Sequence, residues 1–309
     1  MMKRLIESLD QLPSDVSGTA LSIGNFDGVH MGHKQLLREL MGHAERLQIP
    51  SLVVTFQPSP ASILYPESAP PQLTWIERRA ELLFHLGIDY VLALPTDRNL
   101  LDLSAETFFS QVLKEGLRCR AMVEGPNFRF GKDRQGDTQL LQHLCSRHSI
   151  AFTTVQPVHQ DDEWVSSSRI RQHLLRGEIE IANRMLTEPY HLRGRVVRGA
   201  GRGTGLGFPT ANLSEVSVLV PKEGVYAGRT CVDGQWYRVA LNIGPNPTFG
   251  ESHRKMEAHL LDTRLTLVDS DLEIELCEFL RDVRKFGSVE ELREQIDHDL
   301  AKTRRVVSL

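Results

Sequence analysis

Short apolar runs recur along the first part of the chain: ALSI (20–23), LVVTF (52–56), YVLAL (90–94), RAMVE (120–124) and AFTTV (151–155). Each is bounded by polar or turn-forming residues and has the length of a buried strand. Between them, apolar positions return at helical spacing over 33–47, 74–86, 104–115 and 137–148. Thr74 with Glu77 has the Thr-x-x-Glu spacing of a capping box, which marks the start of the second helix. Strands alternating with helices predict an α/β domain, a parallel sheet with helices on both faces. Ligands bind such sheets beyond the carboxyl ends of the strands.

After about residue 190 the pattern changes. GVYAGRTCV (224–232) and QWYRVALNI (235–243) flank Asp233-Gly234, a hairpin signal because this dipeptide accepts the positive φ angles of a type I′ turn. KMEAHLL (255–261) and LEIELCEFL (272–280) alternate as half-buried strands do, and SVEELREQIDHDLAKTRR reads as an amphipathic helix. The second part is therefore expected to be an antiparallel β-barrel with a terminal helix. The join falls at TEPY (187–190), where Pro189 stops a helix, giving domains 1–186 and 187–309.

Composition narrows the partners. A net charge of −4 argues against nucleic acid, which needs a basic surface. No apolar run approaches the roughly 20 residues of a membrane helix, and MMKRLIESLDQLPSD lacks the apolar segment of a signal peptide. Cys119, Cys145, Cys231 and Cys277 are scattered without a CxxC pair, as expected of reduced cytoplasmic thiols.

Two stretches carry candidate chemistry. GNFDGVHMGHKQLL (24–37) follows the first strand and opens a helix. Gly24 and Gly28 allow a tight turn and close backbone approach. His30 and His33, three apart, converge on one side of the helix start, where free N–H groups seat phosphate. Zinc would want a third protein ligand, and no nearby Cys or Glu completes such a set. Further on, SSSRIR joins hydroxyl donors to guanidinium forks at a helix start, an arrangement that suits anions.

The second stretch is GAGRGTGLGFPTAN (199–212). Gly201, Gly203, Gly205 and Gly207, with Arg202, form a backbone able to wrap phosphates. No Gly-Lys-Ser/Thr follows, so it is not a P-loop. Pro209 stiffens the approach to Thr210 and Asn212, neutral oxygen donors suited to Mg²⁺, which takes its remaining ligands from water and phosphate. Strand parity in KMEAHLLD puts Glu257 and His259 on one face and Met256, Ala258 and Leu260 on the other, so Glu257 can face a pocket.

GNFDGVHMGH resembles the nucleotidyltransferase signature of the bacterial bifunctional riboflavin kinase/FAD synthetases. The resemblance continues in NFRFG (127–131), RQGD (134–137), VSSSRIR (165–171), LGFPTAN, NIGPNPTFGE (242–251) and RKFGS (284–288). It implies a Rossmann-like nucleotidyltransferase domain that adenylylates FMN to FAD and a barrel domain that phosphorylates riboflavin to FMN. ATP and Mg²⁺ serve both steps. Gly24, Asn25, Phe26, Asp27, Gly28, His30, Gly32 and His33 would then hold ATP, aided by Ser167, Ser168, Arg169 and Arg171. Asn127 and Arg129 would lie toward FMN.

In the kinase, the resemblance makes Glu257 the base for the ribityl hydroxyl, Thr210 and Asn212 the metal ligands, and Asn242 and Phe286 flavin-side residues. One departure stands out: TFQPSP (55–60) has Ser59 where the family pattern has histidine. It defines a rival reading, a riboflavin kinase with an impaired adenylyltransferase. A third reading, a non-catalytic flavin or nucleotide binder, leaves Glu257, Thr210 and Asn212 without a job.

Overall fold

The computed structural model describes residues 3–160, 163–199, 203, 205, 207–245, 253–263, 265 and 267–309. Its contacts cluster into two compact units. One holds the chain up to Pro70 and Thr74–Ser166; the other holds Pro71–Leu73 and Ser167–Leu309.

The first unit is built on a 6-stranded sheet of β1 (Arg4–Ile6), β2 (Thr19–Ile23), β3 (Ser51–Gln57), β4 (Tyr90–Pro95), β5 (Cys119–Glu124) and β6 (Ala151–Thr154). All pairings are parallel, in the order β1-β4-β3-β2-β5-β6. The five expected strands all form, as continuous apolar runs do when both faces are covered. On one face Ala20, Val53, Val91 and Val123 meet Leu37 and Leu40 of α1 (Met31–Leu47) and Leu83 of α3 (Ile76–His85). On the other, Leu21, Ile23, Leu52 and Leu92 meet Leu141 of α6 (Thr138–Arg147) and the phenylalanines of the segment before β5. The chain turns back at β2, whose neighbours β3 and β5 run in opposite sequence directions from it. That switch point opens a crevice beyond the ends of β2 and β5.

Two local expectations change. The helix over 104–115 begins as α5 (Ala105–Thr107) and widens over Phe108–Gly116 into a π-helix, which sets Phe108, Phe109, Val112 and Leu113 together in the core. Thr74 does not cap α3: the N-cap is Trp75, and the Thr74 hydroxyl turns instead to Asp27. Two short helices, α2 (Pro60–Leu64) and α4 (Arg98–Leu101), complete the connections.

In the second unit, α7 (Ser167–Arg176) and α8 (Ile179–Met185) pack with the barrel, α8 through Asn183 Nδ2 donating to Leu276 O at 2.8 Å. The join at 187–190 thus lies inside this unit rather than at its edge. The barrel strands are β9 (His191–Val197), β10 (Ala211–Ser214), β11 (Gly224–Val232), β12 (Gln235–Gly244), β13 (Lys255–Leu260) and β14 (Asp271–Arg281), and α9 (Val289–Val306) ends the chain. The strands close in the order β10-β13-β12-β11-β14-β9, every pair antiparallel. Asp233 and Gly234 both take positive φ, 50° and 79°, as a type I′ turn requires. Among the described residues no helix is long and apolar enough to cross a membrane.

Candidate functional site

The stretch 24–30 leaves β2 at the switch point and is held from below. Asp27 is buried, and its Oδ1 accepts from Thr74 N at 3.0 Å, Thr74 Oγ1 at 3.1 Å and Arg79 Nη2 at 3.3 Å. Thr55 Oγ1 donates to Asn25 O at 2.9 Å, and Gly28 N donates to Thr74 Oγ1 at 3.2 Å. Phe26, Gly28 and Val29 all have positive φ, at 45°, 84° and 37°. For a β-branched residue such as Val29 this is a strained conformation that its surroundings must enforce.

The turn delivers His30 as the N-cap of α1. His33 N donates to His30 Nδ1 at 3.3 Å, and His30 N donates to His33 Nδ1 at 3.2 Å, a capping box made from two imidazoles. The rings stack at 3.6 Å between centroids, 15° from parallel. Burial pushes His30 down to about 4. Burial, then His30, then the Arg79 charge hold His33 well below the usual histidine range. Both rings are therefore neutral at pH 7. Each Nδ1 accepts a backbone N–H and carries no proton, so each ring proton sits on Nε2. The pair presents two Nε2–H donors beside the helix N-terminus. Gly32 leaves room for this, since a Cβ there would come within 3.1 Å of His30 Nδ1. No cluster of three metal-ligating side chains occurs among the described residues.

Across the crevice, Glu124 ends β5 at 2 % exposure. Its carboxylate accepts from Ile23 N at 2.7 Å and Ser22 Oγ at 3.4 Å. Burial pushes this carboxyl well above the usual range, with those hydrogen bonds opposing. The following loop is a turn pinned by Phe130 and Gly136, which exchange backbone hydrogen bonds, and Phe128 stacks on Phe130. Asn127 and Arg129 are exposed on it, Arg129 near Asp137 at 3.6 Å. Ser59 caps α2 by accepting from Ser62 N at 3.3 Å. Sequence reasoning passed over Glu124, Thr55 and Arg79; the signal was a charge closing the apolar run RAMVE and a doubled arginine inside an amphipathic helix.

Ser167, Ser168, Arg169 and Arg171 occupy the first turns of α7, in the second unit. Arg171 Nε donates to Pro71 O at 2.7 Å, and Arg169 Nη1 to Gln172 Oε1 at 3.3 Å.

In the barrel, register brings three motif residues into one row. Glu257 of β13 stands opposite Asn212 of β10 on one side and Asn242 of β12 on the other. Directly opposed side chains share a face, so the two amides flank the carboxylate, while Ala258 on the other parity is buried. The Asn212 side chain lies against Gly199, where a Cβ would fall 2.1 Å from Asn212 Nδ2. Thr210 Oγ1 lies beside Gly203, at 3.2 Å from where a Cβ would be. His259 Nδ1 meets Pro209 O at 2.7 Å and fixes the strand that leads into Thr210. Neutral Thr210 and Asn212 oxygens next to a carboxylate form a donor set that fits Mg²⁺. A cleft of about 340 Å³ adjoins them, lined by Val196, Pro209, Thr210, Leu260, Leu265 and Val268 among others.

Of the glycine-rich stretch, Gly201 and Arg202 lie outside the described residues, as does much of NIGPNPTFGE. Gly205 and Gly207 are exposed, Gly207 with φ 92°. Phe286 is buried, with the guanidinium of Arg284 over its ring at 4.8 Å and that of Arg281 at 5.6 Å; Arg281 is in turn held by Asp299 at 2.8 Å.

Comparison with known proteins accounts for both halves. A family model described as FAD synthetase matches residues 12–169, and one described as riboflavin kinase matches residues 186–307. A curated protein of Pseudomonas fluorescens is 36% identical over 306 residues, covering 99% of this chain and 98% of that protein. One of Escherichia coli (strain K12) is 34% identical over 307 residues, covering 99% and 97%. Both are described as bifunctional riboflavin kinase/FMN adenylyltransferase. A solved structure described as a macrolide-efflux protein from Streptococcus pneumoniae superposes with a TM-score of 0.86 at 28% identity, covering 98% of this chain and 99% of that one.

Proposed function

Because this chain belongs to the bifunctional riboflavin kinase/FMN adenylyltransferase family and phosphorylates riboflavin to FMN and adenylylates FMN to FAD, we propose how its own residues divide that chemistry between 1–186 and 187–309.

In the first reaction Glu257 takes the proton of the ribityl 5′-hydroxyl as its oxygen attacks the γ-phosphorus of ATP and ADP leaves. The observation that carries this is the row Asn212–Glu257–Asn242, which sets one carboxylate between two amides. Thr210 and Asn212 would hold Mg²⁺, which would supply charge stabilisation for the phosphates when bound. Gly203, Gly205 and Gly207 wrap the phosphates, with Gly201 and Arg202 in the same role. The apolar walls of the adjoining cleft suit a nucleobase. Asn242 orients the flavin side, and Phe286, with the guanidiniums of Arg281 and Arg284 over its ring, supports it.

In the second reaction the FMN phosphate attacks the α-phosphorus of ATP and pyrophosphate leaves. The nucleophile is already an anion, so the site needs donors and alignment rather than a base. His30 and His33 supply two Nε2–H donors, and the backbone of Gly24, Asn25, Phe26, Gly28 and Gly32 lets the nucleotide approach α1. Asp27 acts through its network rather than on the ligand. Asn127 and Arg129, exposed beyond β5, face FMN. Ser167, Ser168, Arg169 and Arg171 offer hydroxyl and guanidinium donors for nucleotide phosphate. The four free cysteines accord with a cytoplasmic location.

The test is product analysis with separated substrates. Wild-type enzyme given riboflavin, ATP and Mg²⁺ yields FMN and FAD. Glu257→Ala yields neither from riboflavin but still yields FAD from added FMN, and loss of both activities sinks the separate-site reading.

A further inference from the structure

We propose that Arg79 is the positioning residue of the adenylyltransferase, holding the 25–29 turn, and through it His30 and His33, from beneath the site. The inference rests on the assignment of that site to FMN adenylylation.

Arg79 lies on α3 at 2 % exposure. A buried guanidinium is tolerated only when its N–H groups are met. Nη2 donates to Asp27 Oδ1 at 3.3 Å and Thr74 O at 3.0 Å, Nη1 to Thr55 Oγ1 at 3.0 Å, and Nε to Thr74 Oγ1 at 3.3 Å. The direction of the remaining bonds follows. Thr55 accepts from Arg79, so its own proton goes to Asn25 O. Thr74 accepts from Arg79 and from Gly28 N, so its hydroxyl donates to Asp27.

The consequence falls on the turn. Asn25, Asp27 and Gly28 are each tied, directly or through one threonine, to a single guanidinium. Gly28 itself, Phe26 between the tied residues and Val29 just after them are left-handed. Such conformations persist only where surrounding structure over-determines them. The residue after Val29 is His30, whose ring and its stacked partner carry the Nε2–H donors. A lysine cannot reproduce this: it brings the charge but not the planar fork that reaches Asp27, Thr55 and Thr74 together. A fraction of an ångström lost at the turn is carried straight to the donors, where alignment governs rate.

The test is Arg79→Lys, with FAD formation from FMN measured at saturating FMN and ATP, and thermal unfolding followed in parallel. The expected result is a cooperative transition within a few degrees of wild type and a kcat reduced about 10- to 100-fold, with KM for FMN changed less than about threefold, since the Asn127–Arg129 loop is untouched. Unchanged kcat overturns the inference, as does a loss that vanishes at lower temperature where the variant is fully folded. If Arg79→Lys does not fold, Asp27→Asn, which keeps the acceptor oxygen and removes the charge, is read by the same criteria. His33→Ala separates the two levels. If it leaves FAD synthesis intact, the site assignment has failed; if it abolishes synthesis while Arg79→Lys leaves kcat unchanged, only the role of Arg79 has failed.

Discussion

Asn212 stands directly opposite Glu257 across the β10–β13 ladder. Directly opposed side chains share a face, so the ladder sets this carboxylate beside an amide. Its capacity to accept a proton is therefore the property most open to test by an isostere.

Glu257→Gln keeps the shape and removes the base. FMN formation from riboflavin is expected to fall by about 10²- to 10⁴-fold, the usual share of a general base. FAD formation from supplied FMN stays at the wild-type rate, measured by chromatographic separation of the three flavins. A loss below tenfold would assign Glu257 to binding alone.

The stacked histidines predict an acid-sensitive first domain. His30 is held near 4 in the folded protein and titrates near 6.5 unfolded. Between those values the unfolded chain binds more protons than the folded one, so stability falls as pH drops from 6.5 toward 4. The loss from this one ring is roughly 2 kcal/mol at pH 5 relative to pH 7.5. His30→Asn, which can cap α1 but does not titrate, should flatten the pH dependence of thermal unfolding across that window.

Gly199→Ala places a methyl where the Asn212 amide now lies. The obstruction is a side-chain end rather than backbone, so the barrel survives and the amide moves. FMN formation is expected to drop about tenfold, in line with the cost of displacing a positioned ligand, with the Mg²⁺ concentration for half-maximal rate raised. Circular dichroism should be unchanged, as should FAD formation from FMN.

Chelation gives a broader check. Removal of divalent metal with EDTA is expected to stop both reactions, and added Mg²⁺ to restore them. Asn212→Ala should need more Mg²⁺ for the kinase step while leaving the metal requirement of the adenylyl step where it was.

Much of this was legible in the residues. The parallel strands announced themselves because burial on both faces leaves continuous apolar runs, and Asp233-Gly234 named its own turn. Thr74 misled because its hydroxyl has a choice that local spacing does not reveal: its partner is Asp27, 47 residues earlier in the chain. Arg79 looked like any helix-surface arginine, since nothing in ERRAELL distinguishes a buried guanidinium from a solvated one. The strand β10 lay hidden in its glycine-rich motif, and β9 carried its alternation of Leu192, Gly194 and Val196 between arginines. Glu257, Asn212 and Asn242 were each visible; that they form one row depends on register, which pairing rather than sequence fixes.

Barrel closure has a consequence for how the enzyme is born. The strand β9 must pair with both β10 and β14, so Arg195 waits for Asp271 before the ring can shut. The strand β13, with Glu257 on it, is needed to link β10 to β12. A nascent chain thus completes the sheet of its adenylylating half while the phosphorylating half is still an open ribbon. The sheet of the first unit needs no residue beyond Thr154, whereas the barrel closes only once Asp271–Arg281 is present.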